Sequence, residues 1–282
     1  MGGTTVRSQK HSSRFLLLTV VLLLPQSSGI SLAQDGTSKI GNLTGDAKRG
    51  KQLFKRYCIG CHGERGDGLG ENAPYVNSEF PKPRDFTLGL FKCRSTPTGS
   101  IPYDSDMYDA ITRGFHTTAM PSWNPLLKQQ RADLVAYVKT FSPRFKEEKP
   151  EKPVAIPPET PSTLESAARG KDLFQQMKCA ECHGPEGRGN GPSASTLRDN
   201  TGNPIVPYDF TAGEKFKCGV TNQDLFRIFM TGLDGTPMPS FADYLNPGQG
   251  WDLVHFLRTL QVNYKGQKMT AKAETKKPGT NK

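Results

Sequence analysis

A small, loop-rich, all-α fold, built twice in tandem, is what this sequence predicts. Three observations lead there. Four sequence blocks recur in the same order, apolar residues near the ends of each copy fall at helical spacing, and strand-like alternation is scarce. "RGKQLFKRYCIGCHG" (49–63) returns as "RGKDLFQQMKCAECHG" (169–184), with one residue inserted before the first cysteine. "RDFTLGLFKC" (84–93) returns as "YDFTAGEKFKC" (208–218), and "MYDAITRGFHTTAMPSW" (107–123) as "LFRIFMTGLDGTPMPSF" (225–241). "DLVAYVKTF" (133–141) returns as "DLVHFLRTL" (252–260). A domain of about one hundred residues has been duplicated.

The elements follow in chain order. Arg7, Lys10 and Arg14 precede an apolar run, "FLLLTVVLLL" (15–24), and small residues stand at Ser31 and Ala33. Ten apolar residues are too few to cross a bilayer, which needs ~20. The pattern reads as an export signal over 1–33, cut after Ala33. It places the mature protein in the periplasm or an equivalent extracytoplasmic compartment, with no transmembrane anchor expected. The first domain is expected at 44–145, where Leu53, Phe54 and Tyr57 share a helix face, as do Leu134, Val135, Tyr137, Val138 and Phe141. The segment 146–163, "KEEKPEKPVAIPPETPST", is rich in proline, which removes backbone donors and forbids helix. It reads as an extended, semi-stiff spacer. The second domain is expected at 164–263, followed by a basic, solvated, disordered tail at 264–282.

The formal charge of +10 is concentrated at the ends. Three leader cations, and a tail holding six lysines and one glutamate, account for +8 of it. The body is close to neutral, and no basic face is interleaved with aromatic residues, which argues against nucleic-acid binding.

Cys58 and Cys61 stand at i and i+3, with His62 at i+4, so all three project from one helix face. Two such thiols suit thioether bonds to the vinyl groups of a haem, with the imidazole reaching the iron from the same side. This is the spacing of c-type haem attachment, and Cys179, Cys182 and His183 repeat it. A structural zinc site draws four ligands, commonly from cysteine pairs about 15–20 residues apart. Here 118 positions separate Cys61 from Cys179. A thioredoxin-like pair needs a βαβ setting, and two short disulfides would leave the paired histidines unexplained.

An electron-transferring haem wants a sixth ligand, and methionine opposite histidine is one established pairing. Each copy offers one methionine in matching flanks. Met120 and Met238 each stand six residues after a glycine, Gly114 or Gly232, and directly before Pro-Ser-aromatic. The neighbouring proline fixes the backbone around a soft, flexible thioether. Met107, Met177 and Met230 lack those flanks and read as packing residues.

With these motifs the chain resembles the class I c-type cytochromes, specifically their dihaem members, over about 45–262. The resemblance implies two helical cytochrome c folds, each with a proximal histidine (His62, His183), a distal methionine (Met120, Met238) and terminal helices packed across each other. It implies two covalently bound haem c groups. "DFTLGLFKCRSTPTGS" and "AITRGFHTTAMPSW" are similar to dihaem cytochromes that serve exported molybdenum oxidoreductases of the nitrite oxidoreductase type.

Two cysteines remain, Cys93 and Cys218, at equivalent repeat positions in "FKC". Three readings stay open: a disulfide clamping the domains across a pseudo-two-fold axis, a buried free thiol in each copy, or a thiolate iron ligand. His116 is matched by Asp234 and reads as a surface residue. His255 is matched by Ala136 and reads as a packing or surface residue.

The functional expectation is transfer of single electrons between redox proteins, a donor oxidoreductase and an acceptor oxidase or cytochrome. No general base, nucleophile or phosphate loop is evident. The competing class is a dihaem enzyme of the peroxidase or thiosulfate dehydrogenase kind. That class needs an exchangeable position at one iron, and the matched methionines argue against it.

Overall fold

The computed structural model describes residues 1–3, 36–73, 81–213 and 215–261. Beyond its first three residues the expected leader lies outside them, as does the expected tail at 264–282. The described body is mostly helical. Among the described residues no helix is long and apolar enough to cross a membrane.

One element departs from an all-helical reading. Strands β1 (Thr37–Ile40) and β2 (Leu43–Asp46) form a small antiparallel ribbon, with Ile40 paired to Leu43 around a Gly41-Asn42 turn. The ribbon lies largely upstream of residue 44 and is tied to the first copy, where Ser38 Oγ donates to the Ala132 carbonyl (2.8 Å). Asp46 then caps the first helix by accepting from the Arg49 N–H (2.9 Å).

In the first copy α1 (Ala47–Tyr57) leads into the short α2 (Ile59–His62), followed by α3 (Asp104–Arg113), α4 (Lys128–Lys139) and α5 (Arg144–Glu147). In the second, α6 (Leu164–Gln176) leads into α7 (Cys179–His183), followed by α8 (Asn222–Thr231) and α9 (Pro247–Leu260). The first and last long helices of each copy pack together, α1 on α4 and α6 on α9. The same device lets them approach. Gly50 sits against the Asp133 carbonyl and Gly170 against the Asp252 carbonyl, so close that a side chain at either would collide with backbone. Beside each crossing an arginine forks onto the aspartate of the partner helix. Arg49 reaches both Asp133 oxygens at 2.8 and 2.7 Å, and Arg169 both Asp252 oxygens at 2.7 Å.

Each copy has its own core. Phe54, Met107, Leu134, Val135 and Val138 fill the first, and Leu173, Phe174, Phe226, Met230, Trp251, Val254 and Leu257 belong to the second. Met107 and Met230 are buried, and Met177 packs against the second core.

The boundary between the copies is covalent and charged. Cys93 and Cys218 form a disulfide, with Cα atoms 5.2 Å apart. Equivalent residues are thus bonded to each other, the contact that a local two-fold relation produces. Arg94 is buried and pairs with Asp234 (2.8 Å), while donating to the Thr231 carbonyl (2.6 Å). Asp234 also accepts from Thr98 Oγ1 (2.8 Å) and the Gly99 N–H (2.9 Å).

The segment after α5 is not a free spacer. The Glu151 N–H donates to Ser100 Oγ (3.0 Å) and the Val154 N–H to the Ser95 carbonyl (2.8 Å), both in the first copy. Val154 and Ile156 pack on the second core, and Asn222 Nδ2 donates to Glu159 (2.6 Å). Proline withholds donors from secondary structure, but the residues between the prolines still bond outward. The segment is a strap docked on both copies, and its first residues, 146 and 147, belong to α5.

Candidate haem sites

Helix α1 ends at Tyr57, and Cys58 begins a single turn, α2, that places Cys61 and His62 one turn on. In the second copy the extra residue before the cysteines is absorbed at Lys178, which takes a left-handed conformation (φ +57°) ahead of α7. The insertion shifts the chain by one residue and leaves the Cys-x-x-Cys-His turn intact.

The glycine-studded loops after both histidines fold identically. The Gly68 N–H donates to the His62 carbonyl (3.0 Å) and the Gly70 N–H to Cys61 (3.2 Å). In the second copy Gly189 donates to His183 (2.8 Å) and Gly191 to Cys182 (3.0 Å). A further rung joins each loop to the Asp-Phe-Thr block: the Phe86 N–H donates to Gly66, and the Phe210 N–H to Gly187, both at 2.7 Å.

That rung sets the histidines. His62 Nδ1 faces the Arg84 carbonyl (3.4 Å), and His183 Nδ1 faces the Tyr208 carbonyl (3.0 Å). A carbonyl only accepts, so the proton sits on Nδ1 and Nε2 keeps its lone pair, the tautomer a metal takes. The imidazoles lie on phenylalanine, Phe86 stacked at 4.5 Å and Phe210 tilted at 4.7 Å between ring centroids. Burial pushes the His62 pKa down to about 4, against the Arg84 hydrogen bond, and lowers that of His183 for the same reason. Both rings are therefore neutral at pH 7. Burial, with Cys61 nearby, pushes the Cys58 thiol up to about 12, and burial lifts Cys179 to about 11. Neither sulfur is a ready thiolate.

The methionine loops are equally alike. Gly114 ends α3 and Gly232 ends α8, with φ of +70° and +65°. Each lies against the Pro-Ser pair that follows its methionine; a Cβ there would come within 2.5 Å of Pro121 and 2.7 Å of Pro239. This contact explains the spacing of glycine to methionine. The Phe115 N–H donates to the Met120 carbonyl (3.1 Å), and the Met120 N–H to Thr118 Oγ1 (3.1 Å). Leu233, Met238 and Thr236 repeat this at 3.0 and 3.2 Å. Ser122 and Ser240 then close each loop onto the Thr112 and Met230 carbonyls.

In the first copy these pieces converge. Cys58, Cys61, His62 and Met120 line one open cleft, walled by Tyr57, Phe86, Phe91, Met107, Ile111 and Trp123. It holds roughly 1200 Å³ of free space, mouth included. In the second copy Cys179, Ala180 and Met238 lie against the core. Among the described residues no three His, Cys, Asp or Glu side chains converge as a metal group. One imidazole, one thioether and a pair of thiols around a largely apolar cleft suit a group that brings its own further donors. Haem c fits that donor set.

Sequence reasoning missed several contributors. The Arg84 and Tyr208 carbonyls and the Phe86 and Phe210 rings belong to a block whose recurrence was visible, but backbone orientation has no side-chain signature. Cys93 lines the first cleft too, but its sulfur is bonded to Cys218, so neither thiol is left as a ligand. His116 is partly exposed. His255 is buried, with Nδ1 2.9 Å from Ser166 Oγ and Nε2 3.6 Å from Glu159.

Comparison with known proteins agrees with this geometry. Residues 167–261 match the family model "Cytochrome c", and residues 45–138 match "Cytochrome C oxidase, cbb3-type, subunit III". A cytochrome c of Guizotia abyssinica is 28% identical over 100 residues, covering 34% of this chain and 89% of that protein. A solved chain from the reducing HAO-like protein complex of Kuenenia stuttgartiensis superposes with a TM-score of 0.73 at 44% identity. That match covers 76% of this chain and 96% of the other.

Proposed function

The chain belongs to the c-type cytochromes, and on that premise we propose that it is a dihaem member passing single electrons between extracytoplasmic redox partners. One observation carries the reading: the same assembly of turn, carbonyl-held histidine, phenylalanine and glycine-pinned methionine is built twice. Cys58 and Cys61 would anchor one haem and Cys179 and Cys182 the other, with His62 and Met120, and His183 and Met238, as axial ligands. A bound haem supplies reversible one-electron chemistry at iron. The protein's part is to hold each imidazole as the neutral Nδ1–H tautomer, to fix each thioether by its loop, and to line the first cleft with apolar side chains. A methionine sulfur held as a ligand beside the histidine would raise the potential.

The likeness to a chain of a reducing HAO-like complex favours a place in a complex of that kind, over the molybdenum oxidoreductases that the sequence suggested. Against the dihaem-enzyme reading, the disulfide takes up the two sulfurs that a thiolate-ligated catalytic haem would draw on.

Mass spectrometry and an optical redox titration of the purified protein test the proposal together. The expected result is the added mass of two haems and a methionine–iron band at both. A colourless protein, or one carrying a single haem, overturns it.

A further inference from the structure

The first cleft is lopsided in charge. Lys82, Arg84, Lys92 and Lys217 line it, and among the described residues no aspartate or glutamate does. Lys217 comes from the second copy. It is the repeat equivalent of Lys92, and each directly precedes a cysteine of the Cys93–Cys218 bridge. The bridge therefore brings two lysines from different halves into the lining of one cleft, close to Arg84. Both are half-buried, and neither has a hydrogen bond or ion pair among the described residues. Arg84 extends from the same place toward Asn200 of the second copy (3.4 Å).

Half-buried, unpaired ammonium groups clustered against apolar walls are costly and call for an anion. The proposed function supplies one, because haem carries two carboxylates. Resting on that reading, we propose that Lys92 and Lys217, with Arg84, bind the propionate carboxylates of the first haem, so that the second copy completes the first copy's cofactor site. The haem edge bearing its carboxylates then faces the boundary between the copies.

The electrostatics agree with this placement. Burial, with Lys217 and Arg84 nearby, pushes the Lys92 pKa down to about 6, although Asp199 draws it upward from longer range. Burial and Arg84 push Lys217 down to about 8. The acidic groups acting on this cluster, Asp199 on Lys92 and Asp199, Asp85 and Asp234 on Arg84, do not offset its burial, and two carboxylates in the cleft would restore both ammonium groups.

The haem-loaded protein provides the test, using Lys217→Met, Lys92→Met and the charge-keeping Lys217→Arg, each first confirmed to carry two haems. Paramagnetic NMR follows the two haems separately through a redox titration. Loss of a cation favours the oxidised iron. At a fixed ambient potential the reduced-to-oxidised ratio of the first haem should therefore fall about tenfold in K217M, the scale of one charge removed about 12 Å from the iron at an effective dielectric of about 20. The carboxylate bands in the reduced-minus-oxidised infrared spectrum should move with it, and K217R should restore both. Unchanged carboxylate bands, an unchanged first haem, or a shift that K217R does not rescue would overturn the assignment. So would a first-haem potential that follows added phosphate while the carboxylate bands stay fixed, since the cluster would then hold a solvent anion. Absence of two haems in the wild-type protein would instead sink the dihaem reading itself.

Discussion

The two copies agree at the histidine, phenylalanine, glycine and methionine of each candidate haem site and differ at some of the positions that face the other copy. His62 and His183, Phe86 and Phe210, Gly114 and Gly232, and Met120 and Met238 occupy matching places with matching hydrogen bonds. His116 and Asp234, by contrast, are repeat equivalents with nothing in common. Asp234 is the acceptor for Arg94, Thr98 and Gly99 of the first copy, whereas His116 makes no such contact among the described residues. Duplication supplied two sites, and divergence at a few boundary positions joined them.

The largest expected effect is spectroscopic and symmetric. Met120→Ala and Met238→Ala should each abolish the methionine–iron band of one haem and open that iron to carbon monoxide, leaving the other unchanged. Carbon monoxide titration followed optically checks this; a variant that binds none would remove that methionine from the ligand set.

The next effect is asymmetric. Asp234→Ala strands Arg94, whose side chain is 0% exposed, without its carboxylate. Breaking a buried pair this way costs about 3–5 kcal/mol. His116→Ala at the equivalent position should stay within about 0.5 kcal/mol. Denaturant unfolding of the haem-loaded proteins measures both, and equal costs would dissolve the contrast.

A smaller difference separates the two rings beside the histidines. Phe210 is 7% exposed and Phe86 is only half-buried. Phe210→Ala should cost about 3–5 kcal/mol, and Phe86→Ala clearly less, in the same unfolding assay.

The smallest is a pH slope confined to the second copy. Burial lowers the pKa of His255, against the pull of Glu159 and Asp252, and its first-copy equivalent is Ala136. The unfolded chain takes up that proton more readily than the native one. Stability from this group is therefore full above the unfolded value of about 6.5 and is lost as pH falls below it. The difference in unfolding free energy between wild type and His255→Gln, followed from pH 7.5 to 5.5, should shrink as the pH drops. A difference that is flat across this window would assign His255 to packing alone.

Much of this organisation was legible from spacing. Helix periodicity, the recurring blocks and the Cys-x-x-Cys-His turns depend on local order, and local order is written along the chain. The ribbon at 37–46 was missed although Gly41-Asn42 is a two-residue hairpin signal, because its strands are four residues each and show little alternation. What the extended segment docks on was hidden for another reason. Proline content forecasts an extended backbone but not what Val154 and Ile156 will pack against. Nor could composition pair Arg94 with Asp234, since their contact exists only once the copies dock.

The strap and the bridge together have one more consequence. Cys93 and Cys218 stand 125 positions apart, so the strap lies inside a covalent ring. A protease cutting within it would yield two fragments that still migrate as one species until a reductant is added. Nicking would therefore not release either half, and the tether between the two candidate haem sites would outlast the integrity of the polypeptide that connects them.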